Sequence, residues 1–450
     1  MRSRHMIWPR ITQKIEPPSV NSSGSLTLSS RVSHPFVGLG ASDVFVTADV
    51  TGVTLPQAQR APVNLALVID RSGSMSGFKL TQAKQAAAHL VSQLTSSDRL
   101  SIIHYGSDVK SLDGLMATTQ NKATLLKYID GIWDDGGTNI AEGLTTGRAM
   151  LLASKSDFTV NRLILISDGQ PTEGITDSGE LNRVVQGIRG SGISVSSIGV
   201  GTDFNEELMA GFAEIGGGAY AYLQDAAQLS NIFQKDLNAA TTQVARGVTL
   251  TFKVPAGMQF EQLLGYKVAS RSSDGAGAVI VSVVMPDFAA GQVERVVMQL
   301  RVNAATVGQT IDITQTTLDY TDVLASRAVT TQTALRSQVS DQPSVVLSNR
   351  DKDAMVFAAR ARAGVNTQNA VDALKRGDRG KAEMLMRQNS DYFEEAAQSA
   401  GQGAVEGDLK EQKSLLDGMQ GARDDEQINT YSKDARKKAR VNYGLIGSTY

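Results

Sequence analysis

Apolar positions change their period twice along the chain. Leu26-Thr27-Leu28 and Val44-Phe45-Val46-Thr47-Ala48 alternate in strand fashion on either side of a bend at Gly38 and Gly40. From about Ala61 strands and helices take turns. The run Asn64 to Asp70 reads as a buried strand, and a helix follows with the stripe Leu80, Ala83, Ala87, Leu90 and Leu94. Further strands read at Leu100–Tyr105, Arg162–Ser167 and Ile193–Gly199, and a helical run from Ala226 to Ala240 closes the unit. Such alternation predicts a doubly wound, mostly parallel sheet covered on both faces.

After Arg246 the chain returns to strands: Val248–Phe252, Ala278–Met285, Val293–Val302 and Ile311–Tyr320, with Gly, Asp and Asn at the turns. This even series predicts an antiparallel sandwich. The N-terminal strands are too few for a sheet stable alone. They are therefore expected to join the later set, so that the α/β unit is inserted between two parts of one β-sandwich. From Asp351 to about Arg440 the pattern is helical, with Ala370, Val371, Leu374, Ala382, Leu385, Met386 and Phe393 at helical spacing. The expected organisation is an extended lead (1–23), sandwich strands (24–60), the α/β unit (61–240), the rest of the sandwich (241–349), helices (350–440) and a tail (441–450).

Composition narrows the function. A chain of 450 residues holds about two or three domains. Its net charge of −2 supplies no field toward nucleic acid or an anionic membrane. Across residues 350–440 basic and acidic residues nearly balance, as on solvated helix faces. The absence of cysteine excludes disulfides, thiolate metal sites and thiol nucleophiles, and fits a reducing compartment. No apolar run reaches the ~18 residues of a membrane helix, and the N-terminus lacks a signal-like core. The expectation is a soluble, cytoplasmic protein.

The chemistry gathers where the first α/β strand ends. Asp70, Ser72 and Ser74 follow it in the run Asn64 to Phe78, NLALVIDRSGSMSGF, at the edge where open α/β sheets bind ligands. One carboxylate and two hydroxyls offer only hard oxygen atoms, which suit Mg²⁺ better than zinc or copper. Alone, such residues also serve as helix caps and turn formers. The spacing D-x-S-x-S resembles the first limb of the metal-ion-dependent adhesion site of von Willebrand factor A domains.

The resemblance extends to two further limbs. Gly136-Gly137-Thr138-Asn139-Ile140 precedes a helical run and supplies Thr138, and the strand Arg162–Ser167 ends in Asp168-Gly169. The implied metal set is Asp70, Ser72, Ser74, Thr138 and Asp168, holding Mg²⁺, with Mn²⁺ or Ca²⁺ as alternatives. In the family the aspartates act partly through water, so an acidic residue of a partner protein becomes the strongest available ligand. Bacterial A-domain proteins similar to the heavy chains of inter-alpha-trypsin inhibitor also carry β-rich segments on both sides. The implied function is divalent-metal-dependent protein recognition without catalysis. Two alternatives are a self-assembling structural subunit, docking through its site or its tails, and an accessory of an ATPase or stress-response complex.

Neighbouring residues are read as supports. Gly73 and Gly77 permit a sharp turn, Asn139 and Ser76 steady loops or cap helices, and Asp134 and Asp135 are solvated loop carboxylates. Gln170 to Gly174 form the rim. Other chemistries lack their motifs. Gly73 to Thr81 misses the phosphate-loop spacing, because Lys79 follows Phe78 and precedes Leu80. Gly199 to Phe204 has Phe where a dinucleotide fingerprint needs its third glycine. His5, His34, His89 and His104 form no metalloprotease pair, His89 and His104 being read as satisfied helix and strand residues. The hairpin Val371–Met386 has the form of one tetratricopeptide unit, but a single copy favours a plain helical bundle.

Overall fold

The computed structural model describes residues 18–55, 61–201, 203–223, 235, 238–239 and 241–445. Most of the extended lead, nearly all of the helical run Ala226 to Ala240 and the tail from 446 lie outside them. Four strands come first: β1 (Ser19–Ser23), β2 (Leu26–Val32), β3 (Phe36–Val37) and β4 (Gly40–Gly52). The α/β unit follows with β5 (Val63–Asp70), α1 (Phe78–Gln93), β6 (Arg99–Tyr105), β7 (Val109–Met116), α2 (Thr119–Asp130), α3 (Ile140–Leu152), β8 (Val160–Ser167), α4 (Ser178–Gly190), β9 (Ser194–Val200), α5 (Glu206–Gly216) and β10 (Gly217–Leu223).

Its sheet runs β10-β9-β8-β5-β6-β7, parallel except for the edge strand β7. β5 is buried along its whole length, which explains its unbroken apolar run. Leu65, Leu67 and Ile69 face one layer with Leu80, Ala83 and Leu90 of α1, while Ala66 and Val68 face the other with Leu144, Val185 and Phe212. The four stripe residues within α1 are buried, as is Leu94 at its C-terminal cap. Strand β7 escapes the sequence reading because Lys110, Ser111, Asp113 and Gly114 break its alternation; a one-sided edge tolerates them.

The remaining strands are β11 (Gln243–Val254), β12 (Gln259–Leu264), β13 (Ser270–Ser273), β14 (Val279–Val284), β15 (Phe288–Ala289), β16 (Val293–Ala304), β17 (Thr310–Asp322) and β18 (Arg327–Val339). They form two sheets, β1-β2-β4-β16-β12 and β13-β14-β11-β17-β18-β3, with β15 on β11. β4 and β16 pair antiparallel from Thr51↔Val293 to Gly40↔Ala304, so strands from before and after the α/β unit share one sheet. Leu26, Leu28, Val44, Val46, Leu250, Phe252, Leu300 and Leu318 belong to the common core.

Helices α6 (Pro343–Ser348), α7 (Lys352–Lys375), α8 (Arg379–Ala400), α9 (Glu406–Gly421) and α10 (Asp425–Asn442) end the described chain. Ala370, Val371, Leu374, Ala382, Met386, Leu415 and Met419 form their core. The α7–α8 hairpin is far longer than the unit read at Val371–Met386. Ala358 and Ala361 of α7 and Ala439 of α10 join the sandwich core. Helix α10 also reaches the α/β unit, through Arg436 to Glu206 (3.1 Å), Arg440 to Glu214 (2.8 Å) and Lys433 Nζ to the Gly201 carbonyl (2.9 Å). No described helix is long and apolar enough to cross a membrane.

Candidate metal centre

Asp70 stands at the carboxyl end of β5 and is fully buried. The chain then turns through Ser72 into a short 3₁₀ segment, Gly73–Met75, whose Met75 is buried beneath it. Gly73 N–H donates to the Gly136 carbonyl at 3.1 Å, which ties this turn to the loop carrying Thr138. Gly136 has φ +76°, and a Cβ there would lie 2.6 Å from Ser107 Oγ, so the loop needs glycine. Asn139 caps α3 by accepting from Glu142 N–H. Thr138 is buried, and its carbonyl accepts from Thr172 and Glu173 N–H at 3.1 and 3.2 Å, lacing in the rim after Asp168.

The carboxylates lie in a low-dielectric setting. Asp70 Oδ1 accepts from Ser72 N–H (2.9 Å), and Oδ2 accepts from Ser167 Oγ (2.7 Å) and Tyr105 OH (3.3 Å). Burial pushes Asp70 up to about 6, Ser72 and Ser167 pull it back, and Asp168 adds like-charge repulsion. Ser72 Oγ and Ser74 Oγ are 3.1 Å apart, the first buried and the second exposed. Asp168 is buried; its Oδ2 is 3.2 Å from Lys79 Nζ and its Oδ1 has no hydrogen-bond partner. The Asp70–Ser72–Ser74 limb is thus gathered directly, Thr138 arrives through its loop, and Asp168 arrives beside Ser167.

Arg71, Tyr105, Ser167 and Lys79 belong to the site and escaped the sequence reading. Arg71 is buried, pairs with Asp108, and reaches Asp135 Oδ2 at 3.4 Å, while Asp134 and Asp135 themselves stay exposed to solvent. The one available signal was a basic residue set between Asp70 and Ser72 in a buried turn. His104 also corrects an expectation: its Nδ1 is buried without a hydrogen-bond partner, and burial lowers the imidazole to about 4. His89 Nε2 is likewise buried without a partner.

Among the described residues no three His, Cys, Asp or Glu side chains cluster as a metal site. The donors here are instead two carboxylates and three hydroxyls, all hard oxygen. An orphaned buried Asp168 oxygen beside a second buried carboxylate is a set that a hard divalent cation would neutralise and satisfy. Two large aromatic side chains stand exposed on the neighbouring segments, Phe78 (71%) and Trp133 (60%). Lys110 Nζ sits 5.0 Å from the Trp133 ring centroid. A separate cavity of about 570 Å³, lined by residues such as Asn182, Arg189, Tyr266 and Arg440, shares no residue with this site.

The sequence matches the von Willebrand factor type A domain over residues 64–235. The chain contains an A domain of this family. An uncharacterized Escherichia coli protein, YfbK, is 28% identical over 208 residues, covering 45% of this chain and 36% of that protein. An uncharacterized Synechocystis protein is 26% identical over 341 residues, covering 73% of this chain and 78% of its own. Human inter-alpha-trypsin inhibitor heavy chain H2 is 28% identical over 200 residues, covering 42% of this chain and 21% of that one.

Among solved structures, a von Willebrand factor type A protein from Catenulispora acidiphila superposes with a TM-score of 0.65 at 16% identity, covering 96% of this chain and 99% of that one. The ArnB paralog VWA2 from Sulfolobus acidocaldarius gives 0.55 at 17%, covering 93% and 99%. At such identities the likeness is one of fold, and it extends over the β-rich and helical parts as well as the A domain.

Proposed function

We propose that this chain is a divalent-metal-dependent protein-recognition module that binds a partner carboxylate. Its single best support is the convergence of buried Asp70, Ser72 and Asp168 with exposed Ser74 at the carboxyl ends of β5 and β8. When bound, Mg²⁺, Mn²⁺ or Ca²⁺ would supply a Lewis-acidic charge that an acidic side chain of a partner could satisfy. The residues that would hold it are Ser72, Ser74 and Thr138, neutral oxygen donors that leave its charge available, with Asp70 and Asp168 balancing it from below. Tyr105 and Ser167 orient Asp70 by donating to Oδ2. Phe78 and Trp133 are the anchors a partner would cover, so the preferred epitope pairs an acidic residue with apolar neighbours.

Affinity capture from extract of the source cells, run in Mg²⁺ and in EDTA, tests this reading. A partner retained only in Mg²⁺, and lost when one of its Asp or Glu residues becomes Asn or Gln, supports it. A partner bound equally in EDTA contradicts it. Light scattering in the same two buffers distinguishes hetero-recognition from self-association.

A further inference from the structure

Metal-bridged recognition gives Lys79 no task, yet its side chain is aimed at the site. Lys79 lies in the first turn of α1, a turn without acidic residues, where the helix dipole disfavours a cation. Its placement therefore comes from elsewhere. Nζ is 3.2 Å from Asp168 Oδ2 and 2.8 Å from Asp203 Oδ1. The two carboxylates differ sharply: the Asp168 side chain is 1% exposed and that of Asp203 is 66% exposed. Gly201, at φ +84°, leaves room for the lysine stem beside it, since a Cβ there would lie 2.5 Å from Lys79 Cε.

We propose that Lys79 is the resident counter-cation of Asp168, and that a divalent ion binds by displacing it onto Asp203. This rests on the metal reading above. A singly charged ammonium already satisfies part of the negative potential of Asp168, so an incoming ion must break that contact and then faces a like charge. Asp203 lowers the cost by keeping Lys79 paired at the solvent edge. Exchange, rather than simple filling, then sets the affinity. In the metal-free protein the same contact limits repulsion between Asp168 and Asp70.

Calorimetric titration of Mg²⁺ and of Mn²⁺ into the full chain tests the exchange, using wild type, Lys79→Met, Asp203→Asn and the double variant. Lys79→Met should tighten binding about fivefold, the upper end for one ion pair no longer broken. Asp203→Asn should weaken it about threefold by leaving Lys79 with Asp168 alone. In the Lys79→Met background the second substitution should change affinity by less than about twofold, because Asp203 acts through Lys79. Unchanged or weaker binding in Lys79→Met, or an Asp203→Asn effect undiminished in the double variant, overturns the proposal while leaving the metal reading intact. No binding by either wild type or Lys79→Met overturns both. Should Lys79→Met fail to fold, exposed Asp203→Asn alone decides, weaker binding supporting the exchange and equal binding refuting it.

Discussion

Replacing Asp70 by Asn should stabilise the metal-free protein while abolishing its response to Mg²⁺. The carboxyl is raised from 3.8 to about 6, chiefly by burial. At about 1.4 kcal/mol per pKa unit, holding it ionised at pH 7.5 costs the fold on the order of 3 kcal/mol. Asn keeps the shape and still accepts from Ser72 N–H, but its amide must donate where Ser167 and Tyr105 now donate. Reorienting those hydroxyls costs about 1 kcal/mol. The net expectation in EDTA is a gain of about 2 kcal/mol for the variant. The sign of the pH dependence follows from the raised folded pKa. The wild type recovers the lost stability as pH falls through about 6, fully so only below 3.8, and the advantage of Asn shrinks in step. With Mg²⁺ at a hundred times its Kd, the wild type alone gains about 2.7 kcal/mol, and the order reverses. Urea unfolding followed by far-ultraviolet circular dichroism, at pH 7.5 and 5 with Mg²⁺ or EDTA, measures all four cases. A variant that is less stable than wild type in EDTA at pH 7.5 would show that the buried Asp70 carboxylate costs the fold nothing, and one that keeps the Mg²⁺ shift would show that Asp70 holds no ion.

Three further outcomes follow from the same geometry. Ser72→Ala and Thr138→Ala should each weaken Mg²⁺ binding about tenfold with circular dichroism unchanged, since each removes one neutral oxygen donor. A chain starting at Ala61 should aggregate, as seen by light scattering, because it exposes the β16 edge that β4 covers and uncovers the core around Leu250 and Phe252; a monomeric, cooperatively melting product would contradict the shared sheet. Phe78→Ala and Trp133→Ala should leave Mg²⁺ affinity unchanged but cost about 1–2 kcal/mol each in binding the captured partner, measured by surface plasmon resonance.

Much of the fold is legible because burial writes itself into period. β5 and β8, covered on both faces, read as continuous apolar runs, and the α1 stripe marks one buried helix face. β18 is not legible in the sequence although it alternates in the structure, because Thr331, Thr333 and Ser337 occupy inward positions that an amphipathic strand gives to apolar residues. Ser30 Oγ meets Thr333 Oγ1 at 2.7 Å, which allows a hydroxyl to stand in the core. Strand β12 carries only a short, partly buried pattern and a register shift near Phe260–Gln262, so its signal is weak.

At the candidate site, the oxygen donors were legible because their spacing is local to three turns. Their supports were not. Lys79, Tyr105 and Ser167 come from a helix and two other strand ends, and only the β5–β6 and β5–β8 pairings bring them to Asp70 and Asp168. Arg71 shows in the sequence only as a basic residue between Asp70 and Ser72; the fold is what buries it against Asp108 and Asp135. Chemistry written by neighbours in sequence can be read along the chain; chemistry assembled across the sheet cannot.

Crystals grown with Mn²⁺ and measured at a wavelength sensitive to its anomalous scattering would show whether Asp70, Ser72, Ser74, Thr138 and Asp168 hold a divalent ion. One strong peak is expected at the carboxyl ends of β5 and β8, within bonding distance of Ser72 Oγ, Ser74 Oγ and Thr138 Oγ1, with the ammonium of Lys79 withdrawn toward Asp203. A saturated crystal with no peak there, and Lys79 still against Asp168, would contradict the metal site.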